Sequence, residues 1–184
     1  MSIIPISLAS LDFEPGPPGE EAVELARVVD RGIRESKTID LKQLCITPGE
    51  KVFVVFIDVY VINHAGNLID ASALAAVAAL MNTKMFNYEL KAGDLKIKSG
   101  YKPLPILRSP ITITFAKVGE MLFIDPCLDE EKVIDARLSI AFDNNGDICA
   151  IQKGGSGYFA SKQILEIAKK AKNIAENTRK KLGW

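Results

Sequence analysis

The sequence has 184 residues, enough to bury one substantial core in a single domain or two small lobes. Hydrophobic residues make up 48% of it, ordinary for a globular chain and too rich for disorder. Lysine plus arginine and aspartate plus glutamate number 23 each, so the formal net charge is zero and capture of nucleic acid by bulk charge is excluded. Any such contact has to come from a local patch, with or without help from a partner.

In chain order, Ile3 to Leu8 reads as a short apolar strand containing Pro5. Pro15, Gly16, Pro17 and Pro18 follow as a stiff turn, because proline removes an amide donor and fixes φ. A helix then runs from Glu20 to about Ser36, with Glu20 and Glu21 on the first turn, where the macrodipole favours negative charge. Ala22, Leu25, Ala26, Val29, Gly32 and Ile33 recur at helical spacing as one apolar stripe. Arg27, Arg31 and Arg34 fall at i, i+4 and i+7 on the face roughly opposite. That row has two readings. Glu20, Glu24 and Glu35 lie near the same face and make surface ion pairs worth about 0–1 kcal/mol each. Alternatively the guanidinium forks form an anion site suited to phosphate oxygens.

Asp40 to Ile46 is a linker with Leu41, Leu44 and Ile46 packed, closed by a Pro48-Gly49 turn. Lys51 to Asn63 is dense in β-branched and aromatic residues, which predicts a long strand covered on both faces. Asp58 interrupts it as an edge carboxylate, without a partner acid or base for catalysis. His64-Ala65-Gly66-Asn67 is a turn, Asn67 or Asp70 caps the next helix, and Ala71 to about Met81 is a buried central helix. Met85 to Gly100, carrying Lys91, Lys96 and Lys98, reads as a solvated hairpin around Gly93-Asp94.

Pro103, Pro105 and Pro110 mark a boundary between two lobes, 1–102 and 103–184. Ile111 to Ala116 alternates at period two and returns through Met121 to Ile124 after a turn at Val118-Gly119-Glu120. Lys132 to Phe142 and Asp147 to Ile151 pair around Asn144-Asn145-Gly146. The loop from Gln152 to Gly157 is glycine-rich but lacks phosphate-loop spacing, and leads to a helix from about Ser161 to Lys181. Ile164, Leu165, Ile167, Ala168, Ala171, Ile174 and Ala175 are its expected buried face, with Arg179, Lys180 and Lys181 complementing the dipole.

Cys45, Cys127 and Cys149 are odd in number and widely spaced, which suits free thiols in a reducing compartment. His64 is the only histidine, so neither a His-based triad nor a multi-histidine metal site has its parts. No cofactor and no metal are expected. No apolar stretch approaches the roughly 18 residues that span a bilayer, and no signal-peptide layout opens the chain. The expected location is cytoplasmic, with no membrane partner.

Phe13-Glu14-Pro15-Gly16-Pro17-Pro18 followed by Glu24 to Ser36 resembles the RNase PH superfamily, and more narrowly the non-catalytic RNase PH-like subunits of the archaeal exosome ring. The similarity continues through Asp58-Val59-Tyr60-Val61, Gly66 to Ala71, Asp125-Pro126 and Gln152-Lys153, so it covers essentially the whole chain. The resemblance implies an α/β fold of mixed sheets with packed helices (α+β) in two lobes. It also implies a hexameric ring shared with a catalytic paralogue, RNA-binding cap proteins, and single-stranded RNA degraded from its 3′ end by phosphorolysis. Arginines of the family matching Arg27 and Arg31 contact RNA in the central channel, which favours the anion reading for those two and leaves Arg34 open. Active subunits carry two functional aspartates, at positions matched here by Glu131 and by Arg137 of Asp135-Ala136-Arg137. Their phosphate-holding segment of small residues is matched by Phe115-Ala116-Lys117-Val118. These departures imply an inactive subunit; the alternatives are a chain that is itself a phosphorolytic exoribonuclease, or one that serves only in assembly. Relatives also carry strands before the one at Ile3, so a fragment, a misassigned start and strands supplied by a partner are all open. The roles of Arg34, Lys117 and Arg137 stay open as well.

Overall fold

The computed structural model describes residues 2–4, 19–91 and 94–184. The proline turn at 15–18, the rest of the first strand and Gly93 of the hairpin loop lie outside the described residues. The elements run β1 (Ser2–Ile4), α1 (Glu20–Glu35), a 3-10 turn (Leu41–Leu44), β2 (Cys45–Thr47), β3 (Lys51–Val52) and β4 (Phe56–Asp58). Then come α2 (Leu68–Asn82), β5 (Lys84–Lys91), β6 (Asp94–Pro103), β7 (Ile111–Val118) and β8 (Met121–Ile124). Last are α3 (Leu128–Glu131), β9 (Ala136–Phe142), β10 (Ile148–Gly154) and α4 (Ser161–Leu182).

The central layer is an antiparallel sheet in the order β10-β9-β7-β8. β7 and β9 are buried along nearly their whole length, so both carry apolar residues on both faces. Helix α4 lays Ile167, Ala171 and Ala175 against Ile113, Phe115, Leu138 and Ile140. A second cluster joins Leu25, Val29 and Ile33 of α1 to Ala73, Val77 and Leu80 of α2, with Ile57, Met85 and Leu104. α2 also packs on β7, and Trp184 touches both clusters.

Five expectations need correction. The run from Lys51 to Asn63 is not one strand covered on both faces: it forms β3 and β4, and Val52, Val54, Phe56, Tyr60 and Ile62 are exposed. Alternate side chains enter the core, but among the described residues β4 pairs only with β1 and nothing covers its outer face. Leu41 is exposed, because the 3-10 turn points Leu44 inward instead. Ile164 and Leu165 are also exposed, since the stripe of α4 is narrower than hydrophobicity suggested. Arg179 is buried: it donates to the carbonyls of Ser109 and Phe142 at 3.0 and 3.1 Å and stitches α4 to the sheet. Strand β9 starts at Ala136 instead of Lys132, because α3 and its following turn occupy 128–133.

Candidate nucleic-acid interface

Helix α1 forms as its pattern dictates, with Ala22, Leu25, Ala26, Val29, Gly32 and Ile33 as its buried residues. It starts at Gly19 without a side-chain cap, so Glu20 and Glu21 offset the positive end. It stops where Lys37 turns left-handed at φ 55° and the Ser36 hydroxyl bonds Ile33 O and Thr38. The polar face of α1 then borders β10. There, a groove of about 420 Å³ has Arg27, Arg31, Glu20, Glu24 and Gln152 in its wall.

The three arginines behave differently. Arg27 is exposed and has no hydrogen bond or ion pair among the described residues. Arg31 is half-buried and its Nη1 donates to Gln152 Oε1 at 2.8 Å, a neutral partner that leaves its charge uncompensated. Arg34 turns away to Asp30 at 3.2 Å and Glu35 at 3.3 Å. The helix thus brings Arg27 and Arg31 together in one groove and leaves Arg34 in ordinary surface pairs. Gln152 lies 121 residues from Arg31 in sequence, and nothing in the local pattern signals their contact.

A second cleft of about 340 Å³ lies on the other side of Glu24, lined by His64, Asn67, Thr114, Glu131 and Arg137 among others. Arg137 Nη2 donates to Glu24 Oε2 at 2.5 Å, so Glu24 borders both hollows. Glu131 Oε1 accepts from the Asn67 amide at 2.9 Å, and its other oxygen lies 4.0 Å from His64 Nε2. Asn67, itself left-handed at φ 49°, donates its Nδ2 to both Asp70 and Asp125 at 3.0 Å. Asp70 accepts from the Thr114 amide and hydroxyl at 2.8 and 2.7 Å, and Ser139 in turn bonds Thr114. Burial pushes the Asp70 carboxyl above the usual carboxylate range, against the hydrogen bonds from Asn67 and Thr114, and the nearby Asp125 charge adds to the rise.

Lys117 is buried, its ammonium donating to Tyr158 O at 3.1 Å and lying 4.9 Å from the Tyr158 ring centre. It pins the glycine-rich loop, whose Gly157 amide is spent on Asp135 O at 2.7 Å. At Gly154 an added Cβ would meet Arg137 Nε at 2.8 Å, so the loop is packed against β9 and forms no open phosphate cradle. Among the described residues no group of three or more His, Cys, Asp or Glu is arranged to hold a metal ion. An arginine keeps its proton near neutral pH, so Arg137 can set charge in the cleft but cannot pass a proton.

Residues 4–85 match the model of the 3′ exoribonuclease family, domain 1, and residues 109–174 match domain 2 of the same family. The chain belongs to the 3′ exoribonuclease, or RNase PH, family. Among its relatives, the exosome complex component Rrp42 of Thermococcus kodakarensis is 51% identical over 97% of this chain and 68% of its own. Rrp42 of Pyrococcus horikoshii is 48% identical over 95% of this chain and 65% of its own. A chain of the Archaeoglobus fulgidus exosome, solved with RNA bound to the active site, superposes with a TM-score of 0.84 at 42% identity. That match covers 98% of this chain and 70% of the other, and an archaeal exosome core gives a TM-score of 0.83 at 39% identity over 100% and 69%. The chain spans about two thirds of the length of the curated relatives it matches. The RNase PH-like fold and its mixed helices and sheets stand as the sequence implied.

Proposed function

We propose that this chain is a structural and RNA-binding subunit of an exosome ring, and that the phosphorolytic chemistry belongs to a catalytic RNase PH-like paralogue beside it. The ring is hexameric in this proposal, works in the cytoplasm, carries RNA-binding cap proteins, and feeds single-stranded RNA past α1. Relatives of about half identity are exosome components, and one matching assembly holds RNA. The observation that carries the RNA role is the pairing of Arg27 and Arg31 in one groove with no carboxylate among the described residues bound to either. Support for an inactive cleft comes from Arg137 and the loop-bound Glu131, which stand where the resemblance implies two functional aspartates.

The test is Arg27→Glu with Arg31→Glu in the ring reconstituted with the catalytic paralogue. The fold should persist, because neither side chain belongs to the buried stripe of α1. RNA affinity should fall, and the slope of log affinity against log salt should flatten by about 0.7 per lost contact. Unchanged affinity and slope would return both residues to the surface-pair reading.

A further inference from the structure

Two carboxylates on α1 stand within one helical turn of Arg27: Glu24 three residues before it and Asp30 three residues after it. Side chains at that spacing are neighbours, so either acid is placed to neutralise Arg27. Neither does. Glu24 is held by Arg137 of β9 at 2.5 Å, and Asp30 by Arg34 at 3.2 Å. The other acid in the groove wall, Glu20, is two turns away, about 10 Å along the axis. We propose that Arg137 and Arg34 are positioning residues for the RNA groove, each occupying an α1 carboxylate that would otherwise pair with Arg27.

This inference rests on the RNA role of Arg27 and Arg31 and supplies the reason that Arg27 is available. Arg137 is well placed for it. Its guanidinium comes from a central strand, is half-buried against Gly154, and holds the Glu24 carboxylate on the border that the groove shares with the second cleft. Arg34 is more exposed and holds Asp30 along the same helix, so its share is the smaller one. Without Arg137, the Glu24 carboxylate turns to Arg27, and one positive charge facing phosphate is cancelled.

The test measures binding of a fluorescent single-stranded RNA oligonucleotide to the reconstituted ring across a salt series. Arg137→Met should weaken binding about two- to fivefold, the scale of one exposed charge pair, and reduce the salt slope by about 0.7. Adding Glu24→Gln to Arg137→Met should restore wild-type affinity, and Glu24→Gln alone should tighten binding. A merely structural cross-link gives a different pattern: all three variants weaken together, which overturns the inference. Arg34→Met, reversed by Asp30→Asn, tests the second half on the exposed side of α1 and serves where Arg137→Met fails to assemble. Arg137→Met and Arg34→Met at wild-type affinity, with Arg27→Glu/Arg31→Glu weakened, would refute the sorting role and leave the RNA role standing. If that double variant also binds like wild type, the RNA role itself fails.

Discussion

At the scale of single residues, the polar contacts of Asp70 and Asn67 decide how the second cleft is held. Asp70 joins α2 to β7 through Thr114, and burial raises its carboxyl above the usual carboxylate range. The folded state therefore holds that proton more tightly than the unfolded chain does. Its contribution to stability is fully present below the unfolded value and is lost as pH rises through the raised folded value. The stability of the wild type minus that of Asp70→Asn, followed by denaturant melts from acid to neutral pH, should fall across that interval. A difference that grows with pH would show that the ionised carboxylate is the stabilising form. None of this was readable in the sequence, where Asp70 and Asn67 looked like alternative helix caps. Asn67 makes no capping bond, and its side chain reaches instead to Asp70 and Asp125, the latter 58 residues away.

At the scale of elements, the chain was most legible where one periodicity governed a whole segment. The apolar stripe of α1, the β5–β6 and β7–β8 hairpins and the β9–β10 hairpin around Asn144-Asn145-Gly146 follow from local pattern and turn chemistry. Legibility failed where tertiary partners decide. The run Lys51 to Asn63 has the composition of a doubly covered strand, yet composition does not say which neighbours are present. Arg179 looked like a dipole-compensating surface residue, and only the carbonyls of Ser109 and Phe142 explain its burial. Arg27 and Arg31 were legible as a row; Gln152 and Arg137, which set the state of that row, come from distant strands. The turn before α2 shows how tightly such distant pieces meet. Gly66 has φ +120°, and a Cβ there would lie 2.2 Å from Pro126 O and 2.7 Å from Cys127 Cα. Gly66→Ala should cost about 2 kcal/mol or more from combined backbone strain and clash. Its thermal midpoint should drop by about 4–8 °C in calorimetry. A midpoint within a degree of wild type would mean that the 125–128 segment moves aside freely.

At the scale of the whole molecule, two features point outward. Val52, Val54, Phe56, Tyr60 and Ile62 form an apolar face that nothing covers among the described residues. The chain alone should therefore self-associate at tens of micromolar, and Val54→Lys with Phe56→Glu should suppress that without loss of fold. Binding of the catalytic-type partner should relieve it as well. Sedimentation equilibrium showing a compact wild-type monomer would refute the expectation. The other feature is the split between a groove with uncompensated arginines and a cleft whose charge is internally paired.

That split supports the central proposal, that this chain holds RNA and leaves the chemistry to another subunit. It is tested most directly by incubating RNA and inorganic phosphate with the purified chain alone, with the catalytic paralogue alone, and with the assembled ring, and measuring nucleoside diphosphate release. The account predicts no release by the chain alone and release by the ring, unaffected in mechanism by Glu131→Gln in this chain. Nucleoside diphosphate release by the chain alone, abolished by Glu131→Gln, would contradict it.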